Sequence, residues 1–123
     1  MSRASQPPTA EPLPVVKGTL DLLALKALLG RPRHGFEVTS WIEEGSRGRL
    51  AFDDSAIYQA LYRLEKRELV DADWGVTENN RRARYYRLTP QGREHLRAET
   101  DRLVRYSQIV TALLTGAAQP QPA

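Results

Sequence analysis

The run Asn79-Asn80-Arg81-Arg82-Ala83-Arg84-Tyr85-Tyr86-Arg87 sets four guanidinium groups and no carboxylate behind a turn dipeptide. Guanidinium groups stay charged at physiological pH and donate in a rigid fork that matches phosphate oxygens, so a cluster of them selects polyanions. The imbalance continues downstream, where Arg93 and Arg97 face only Glu94, while Asp71, Asp73 and Glu78 lie just upstream. A formal net charge of +3 is too small to argue nucleic-acid binding by itself, so the clustering must carry that argument. Like charges packed this closely repel one another and gain little until an anion arrives. Nucleic acid is the first partner to test.

Other chemistry finds no support. The sequence has no cysteine, which excludes disulfides, cysteine-ligated zinc and thiol nucleophiles and fits a reducing cytoplasm. His34 and His95 are the only histidines and stand in no metal-binding spacing; His34, just before Gly35, reads as structural. Asp53 and Asp54 resemble a catalytic pair, but their place before a helix accounts for them as capping residues. No nucleophile, base and orienting acid assemble, and no glycine-rich phosphate loop is present. The sequence therefore predicts no enzyme, no metal site and no cofactor. No apolar run approaches the roughly 20 residues needed to span a bilayer, and the N-terminus lacks a signal-peptide core. A soluble cytoplasmic protein is expected.

The elements that must position the arginines follow from periodicity. With 123 residues and 41% hydrophobic content, one domain with a single core is expected. Residues 1–14, with four prolines, and 116–123 read as a disordered arm and tail. Thr19 is the expected N-cap of a first helix carrying Leu20, Leu22, Leu23, Ala24, Leu25, Ala27, Leu28 and Leu29, ended by Gly30 and Pro32. This helix is apolar nearly all round, so either the domain wraps it or a second subunit covers its outer face. A second helix runs from about Gly35 to Glu44, with Phe36, Val38, Trp41 and Ile42 as apolar positions, and a short strand follows at 50–52. Asp53, Asp54 and Ser55 lead into a third helix whose row Ile57, Ala60, Leu61, Leu64 faces inward.

The period then changes to two. Val70, Ala72, Trp74 and Val76 alternate with Asp71, Asp73 and Gly75, predicting a half-exposed strand paired with a return strand from about Arg84 to Leu88. Glu78, Asn79 and Asn80 make the turn, since asparagine tolerates positive φ. Arg81, Arg82 and Arg84 are then expected at the hairpin tip. Thr89 caps, and Pro90 opens, a final helix of about 25 residues with Leu96, Leu103 and Val110 in one row and Tyr106 and Leu113 in another, broken by Glu99. Such an apolar stripe points to a second chain, with Leu20, Leu96, Leu103, Tyr106, Val110 and Leu113 as the expected dimer contacts.

Three helices followed by a hairpin is the order of a winged helix-turn-helix. The expected fold class is mainly α with a small β-hairpin: a winged helix-turn-helix over 15–89 plus a dimerisation helix over 90–115. Away from its core row the third helix presents Ser55, Tyr58, Gln59, Tyr62, Arg63 and Lys66. Gln59 and Arg63 suit adenine and guanine edges, while Ser55, Tyr58, Tyr62 and Lys66 suit phosphates. Arg81, Arg82 and Arg84 would follow the backbone or enter the minor groove. A plain solvated face and a soluble loop are the alternatives, and for Tyr58 and Tyr62 partial burial is another.

The segments KGTLDLLALKALL, HGFEV, SAIYQALYRLEKRELV and above all WGVTENNRRARYYRLTPQGREHL resemble the short form of the PadR family of bacterial transcriptional regulators, over about residues 16–106. The resemblance implies a homodimeric repressor of a double-stranded DNA operator, joined through its C-terminal helices and often released by a phenolic or other small aromatic effector. By similarity Ser55, Tyr58, Tyr62 and Arg63 match the part that meets DNA, and Arg81, Arg82 and Arg84 match the wing. Many relatives have proline where Gln59 stands, so base reading by Gln59 rests on its chemistry. Relatives often have glycine where Glu68 stands; a left-handed backbone there costs a non-glycine residue about 1 kcal/mol. Some relatives sandwich drugs between tryptophans of the final helices, whereas Tyr106 is the only aromatic residue of this one. A module that holds an acidic protein partner through the same hairpin is the alternative from another class.

Overall fold

The computed structural model describes residues 11–117. In chain order these form β1 (Leu13–Pro14), α1 (Thr19–Ala27), β2 (Arg33–His34), α2 (Gly35–Ser46), β3 (Leu50–Ala51), α3 (Asp54–Lys66), β4 (Val70–Val76), β5 (Arg82–Leu88) and α4 (Pro90–Thr115). The mainly helical winged fold expected from the sequence is thus present. The core sits where α1, α2 and α3 meet the base of the hairpin, and Leu25, Val38, Ile57, Leu61, Leu64 and Val70 are fully enclosed there. Each such side chain contributes about 1.5–3 kcal/mol by leaving water.

α1 is wrapped largely by its own chain: Leu20, Ala24, Leu25, Ala27 and Leu28 are buried and Leu22 and Leu23 half-buried. Its cap differs from expectation, because Gly18 takes the N-cap position at φ 89° and Thr19 becomes the first helical residue. The Thr19 N–H is already held by the Val16 carbonyl at 2.9 Å, which leaves the turn rather than a side chain to start the helix. α2 begins with a reciprocal cap, His34 accepting from the Glu37 N–H at 3.3 Å and Glu37 accepting from the His34 N–H at 3.1 Å. His34 is therefore structural. α2 continues past Gly45 and stops at Arg47, which itself turns left-handed at φ 55°.

Asp53 precedes α3 in extended conformation, but its side chain makes no cap bond; its carbonyl accepts from the Ala56 N–H at 2.9 Å instead. α3 buries Ile57, Ala60, Leu61 and Leu64 as its spacing requires. Glu68 then adopts φ 62°, and the Leu69 N–H reaches back to the Leu64 carbonyl at 2.9 Å, a Schellman close that ordinarily uses glycine.

β4 and β5 pair antiparallel from Val70↔Leu88 to Val76↔Arg82. The turn is closed by the Thr77 N–H to the Arg81 carbonyl and the Asn80 N–H to the Thr77 carbonyl, with Asn80 at φ 63°. β2 adds a third strand, Arg33↔Tyr86 and His34↔Tyr85, so the sheet is larger than a hairpin. A second unexpected pairing is β1 with β3, parallel. Residues 1–10 of the expected arm, and 118–123 of the tail, lie outside the described residues. Leu13 and Pro14 are ordered by backbone bonds, the Leu13 N–H to Arg49 and the Val15 N–H to Ala51, which need no apolar burial. Pro14 sits between these two donors, where its missing N–H costs nothing.

Thr89 caps α4, accepting from the Gly92 N–H at 2.9 Å while its own hydroxyl donates to the Glu68 carbonyl at 2.8 Å. Gly92 is required at this junction: a Cβ there would fall 1.9 Å from the Leu69 carbonyl oxygen. Past Leu96 no side chain of α4 is buried within the chain.

Candidate nucleic-acid interface

The core row of α3 leaves Ser55, Gln59, Tyr62 and Lys66 pointing directly away from the domain, at 100° per residue, with Arg63 on one flank and Tyr58 and Glu65 on the other. All six expected contact residues of α3 are exposed. The Lys66 ammonium lies 5.4 Å from the Tyr62 ring centre, one helical turn apart, which keeps both side chains on the outer face. The Tyr58 ring lies against the start of α2, where a Cβ on Gly35 would come within 2.3 Å of it. Absence of a side chain at Gly35 thus brings α2 and α3 together.

The wing distributes its charge otherwise than its sequence suggests. Arg81 lies in the turn and Arg82 opens β5, its guanidinium 4.5 Å from the Trp74 ring centre. Arg84, expected at the tip, sits further down the strand opposite Trp74. There it is half-buried and gives a two-pronged bond to Glu65 of α3, at 2.9 and 3.3 Å. Arg87 is paired with Asp73 across the strands. Among the described residues, only Arg81 and Arg82 of these four have no carboxylate partner. The tip is basic, but with half the charge that the uninterrupted run implied.

Arg63 is likewise engaged. Its fork closes on Asp21 of α1 at 2.6 and 3.2 Å. The hydrogen bond to Asp21, opposed by desolvation and assisted by charge, holds the Arg63 pKa above its ordinary value. The bond to Glu65 acts on Arg84 in the same direction, again against desolvation. Burial raises the Tyr86 phenol beside it, while Arg84 pulls the other way.

Sequence reasoning missed the aromatic residues of this region. Phe36 is 67% and Trp74 61% exposed, although both stand at apolar positions of their patterns. With Tyr58, His34, Arg81 and Arg82 they line an open cleft of about 700 Å³ between the start of α2, α3 and the wing. Trp74 and Val76 are uncovered because β4 runs on beyond the helices that cover Val70. The signal was the length of the alternating run, which exceeds what one helix layer can cover.

Leu20 and Leu96, expected at a dimer interface, are enclosed in this chain's own core. α1 and the first turns of α4 pack on each other there and leave neither residue for a partner. Leu103, Tyr106 and Leu113 are exposed and Val110 half-buried, with Ile109 and Leu114 exposed alongside. Leu22, Leu23, Leu29 and Leu103 line a second groove of about 670 Å³ between α1 and α4. Among the described residues no metal-binding cluster occurs, and no helix is long and apolar enough to cross a membrane.

Known proteins agree with this arrangement. Residues 24–98, more than half of the chain, match the transcriptional regulator PadR-like family. A PadR family transcriptional regulator from Eggerthella lenta is similar in structure, with a TM-score of 0.68 at 25% identity over 79% of this chain and 82% of its own. One from Clostridium difficile shares the fold, with a TM-score of 0.68 at 23% identity, over 79% and 99% respectively. An uncharacterized 37.1 kDa protein in transposon TN4556 of Streptomyces fradiae is 38% identical over 86 residues, 70% of this chain but 23% of that protein. The chain thus spans less than a quarter of that relative's length. With a polar helix face beside a basic wing and this match, the chain belongs to the PadR-like family of transcriptional regulators and is a DNA-binding regulator rather than an enzyme.

Proposed function

We propose that the protein is a homodimeric repressor acting in the bacterial cytoplasm, whose two copies of α3 enter successive major grooves of a pseudo-palindromic operator. The half-sites lie about one helical turn apart, or a multiple of it, as two-fold symmetry requires. The observation that carries this reading is the exposed row Ser55, Gln59, Tyr62 and Lys66 beside a wing whose tip arginines have no carboxylate partner among the described residues. Gln59 reads adenine through a paired hydrogen bond; Ser55, Tyr58, Tyr62 and Lys66 hold phosphates. Arg81 and Arg82 follow the backbone or enter the minor groove. Arg63 and Arg84 belong to the same interface, each alongside its carboxylate partner.

The outer half of α4 supplies the dimer contact through Leu103, Tyr106, Val110 and Leu113. The exposure of Leu103, Tyr106 and Leu113 in a single chain supports it, as does the apolar groove between α1 and α4. Release by a small-molecule effector completes the proposal and is supported by family membership.

The test is selection of a duplex from random DNA by the purified protein, followed by titration of that duplex at rising salt. Three or four phosphates neutralised per subunit predict that affinity falls by orders of magnitude between 50 and 200 mM salt, roughly 0.9 log units per log of salt for each phosphate. A flat response or no selected duplex would refute it. The effector is sought by screening small aromatic compounds for release of that duplex.

A further inference from the structure

We infer that Asp21 and Glu65 are positioning residues: through Arg63 and Arg84 they clamp α3 from opposite flanks and fix its rotation, so that Ser55, Gln59, Tyr62 and Lys66 face the duplex. This rests on the DNA-binding reading of α3. Arg63 and Glu65 are two positions apart, so they project roughly 200° from each other around the helix axis. Their partners lie on separate supports, Asp21 on α1 and Arg84 on β5. One clamp ties the helix to the domain, the other to the wing.

The apolar row beneath α3 sets which face is buried, and the two ion pairs add a directional restraint to that packing. A roll of about 20° on a helix of roughly 5–6 Å radius moves its outer side chains by about 2 Å, well beyond the tolerance of a hydrogen bond. A guanidinium fork closed on a carboxylate is directional. Both prongs are engaged in each pair, at 2.6 and 3.2 Å for Arg63 and 2.9 and 3.3 Å for Arg84. Arg84 is further confined by the Tyr86 and Trp74 rings, 5.7 and 6.0 Å away. Both pairs are partly solvent-exposed and so add little stability; what they supply is geometry. While its fork is closed on Asp21, Arg63 acts through the helix and not on a base.

The experiment reverses the charges in the full-length chain. Arg63→Asp, Asp21→Arg and the two together are compared for affinity to the selected operator and to random duplex, with circular dichroism and urea midpoints monitoring folding. The operator-to-random ratio is the readout, since a general change of charge moves both affinities. Each single reversal is expected to lower the ratio by about tenfold, and the double reversal to restore it to within about threefold of wild type. The same pattern is expected for Glu65→Arg, Arg84→Glu and their double. A double reversal as impaired as Arg63→Asp alone, or single reversals that keep the wild-type ratio, would overturn the inference. Should a reversal unfold the chain, Asp21→Asn decides: a lower ratio supports the clamp, and an unchanged or higher ratio overturns it. A wild-type protein that selects no duplex refutes the DNA-binding reading itself, a result separate from failed rescue.

Discussion

α3 and the outer half of α4 are both exposed helical surfaces, and they differ in what they expose. α3 buries one complete apolar row and turns amides, hydroxyls and cations to solvent. α4 beyond Leu96 encloses no side chain fully and turns leucine, isoleucine and tyrosine outward. A polar face costs little in water and can wait for a hydrated, charged partner. A continuous apolar face is costly in water, and the proposed dimer would cover it with a second copy of the chain. The contrast supports the proposed division, with nucleic acid at one surface and self-association at the other.

The strongest way to break that assignment is to charge the outer helix. Leu103→Asp with Leu113→Asp is expected to give a monomer by sedimentation velocity and to weaken operator binding by at least about 100-fold, because two linked half-site contacts become one. If operator affinity is unchanged, the two surfaces are not coupled as proposed. Next in size is the junction that joins them. Gly92→Ala should lower unfolding free energy in urea by about 3 kcal/mol, since the new methyl group would meet the Leu69 carbonyl and backbone must move.

Smaller effects sharpen the reading face. Gln59→Ala should cost about 1–3 kcal/mol on the preferred operator and relax preference at one base pair, measured on a panel of single-substitution duplexes. A uniform loss across the panel would make Gln59 a phosphate contact instead. Smallest is Glu68→Gly, expected to raise stability by up to about 1 kcal/mol by relieving the left-handed backbone at φ 62°. It should leave DNA preference as it was.

Much of the fold was legible because its signals are local. The 3.6-residue row of α3, the alternation of β4, the Thr89-Pro90 start of α4 and the asparagine turn each depend on neighbours in sequence. The β1–β3 pairing and the third strand β2 were not legible, since they rest on backbone bonds between distant segments that no side-chain pattern announces. The site divides in the same way. Ser55, Gln59, Tyr62 and Lys66 followed from helical spacing, whereas the exposure of Phe36 and Trp74 depended on where the covering helices end.

The sequence by itself determined the winged architecture, the polar face of α3, the basic character of the wing and the long apolar stripe of α4, because each is written in periodicity or composition over a few adjacent residues. Only tertiary structure decided which arginines have carboxylate partners. Asp21 lies 42 residues from Arg63, Glu65 19 from Arg84 and Asp73 14 from Arg87. Charge adds up along a chain, but it is neutralised in space, and the fold alone brings those carboxylates to their partners.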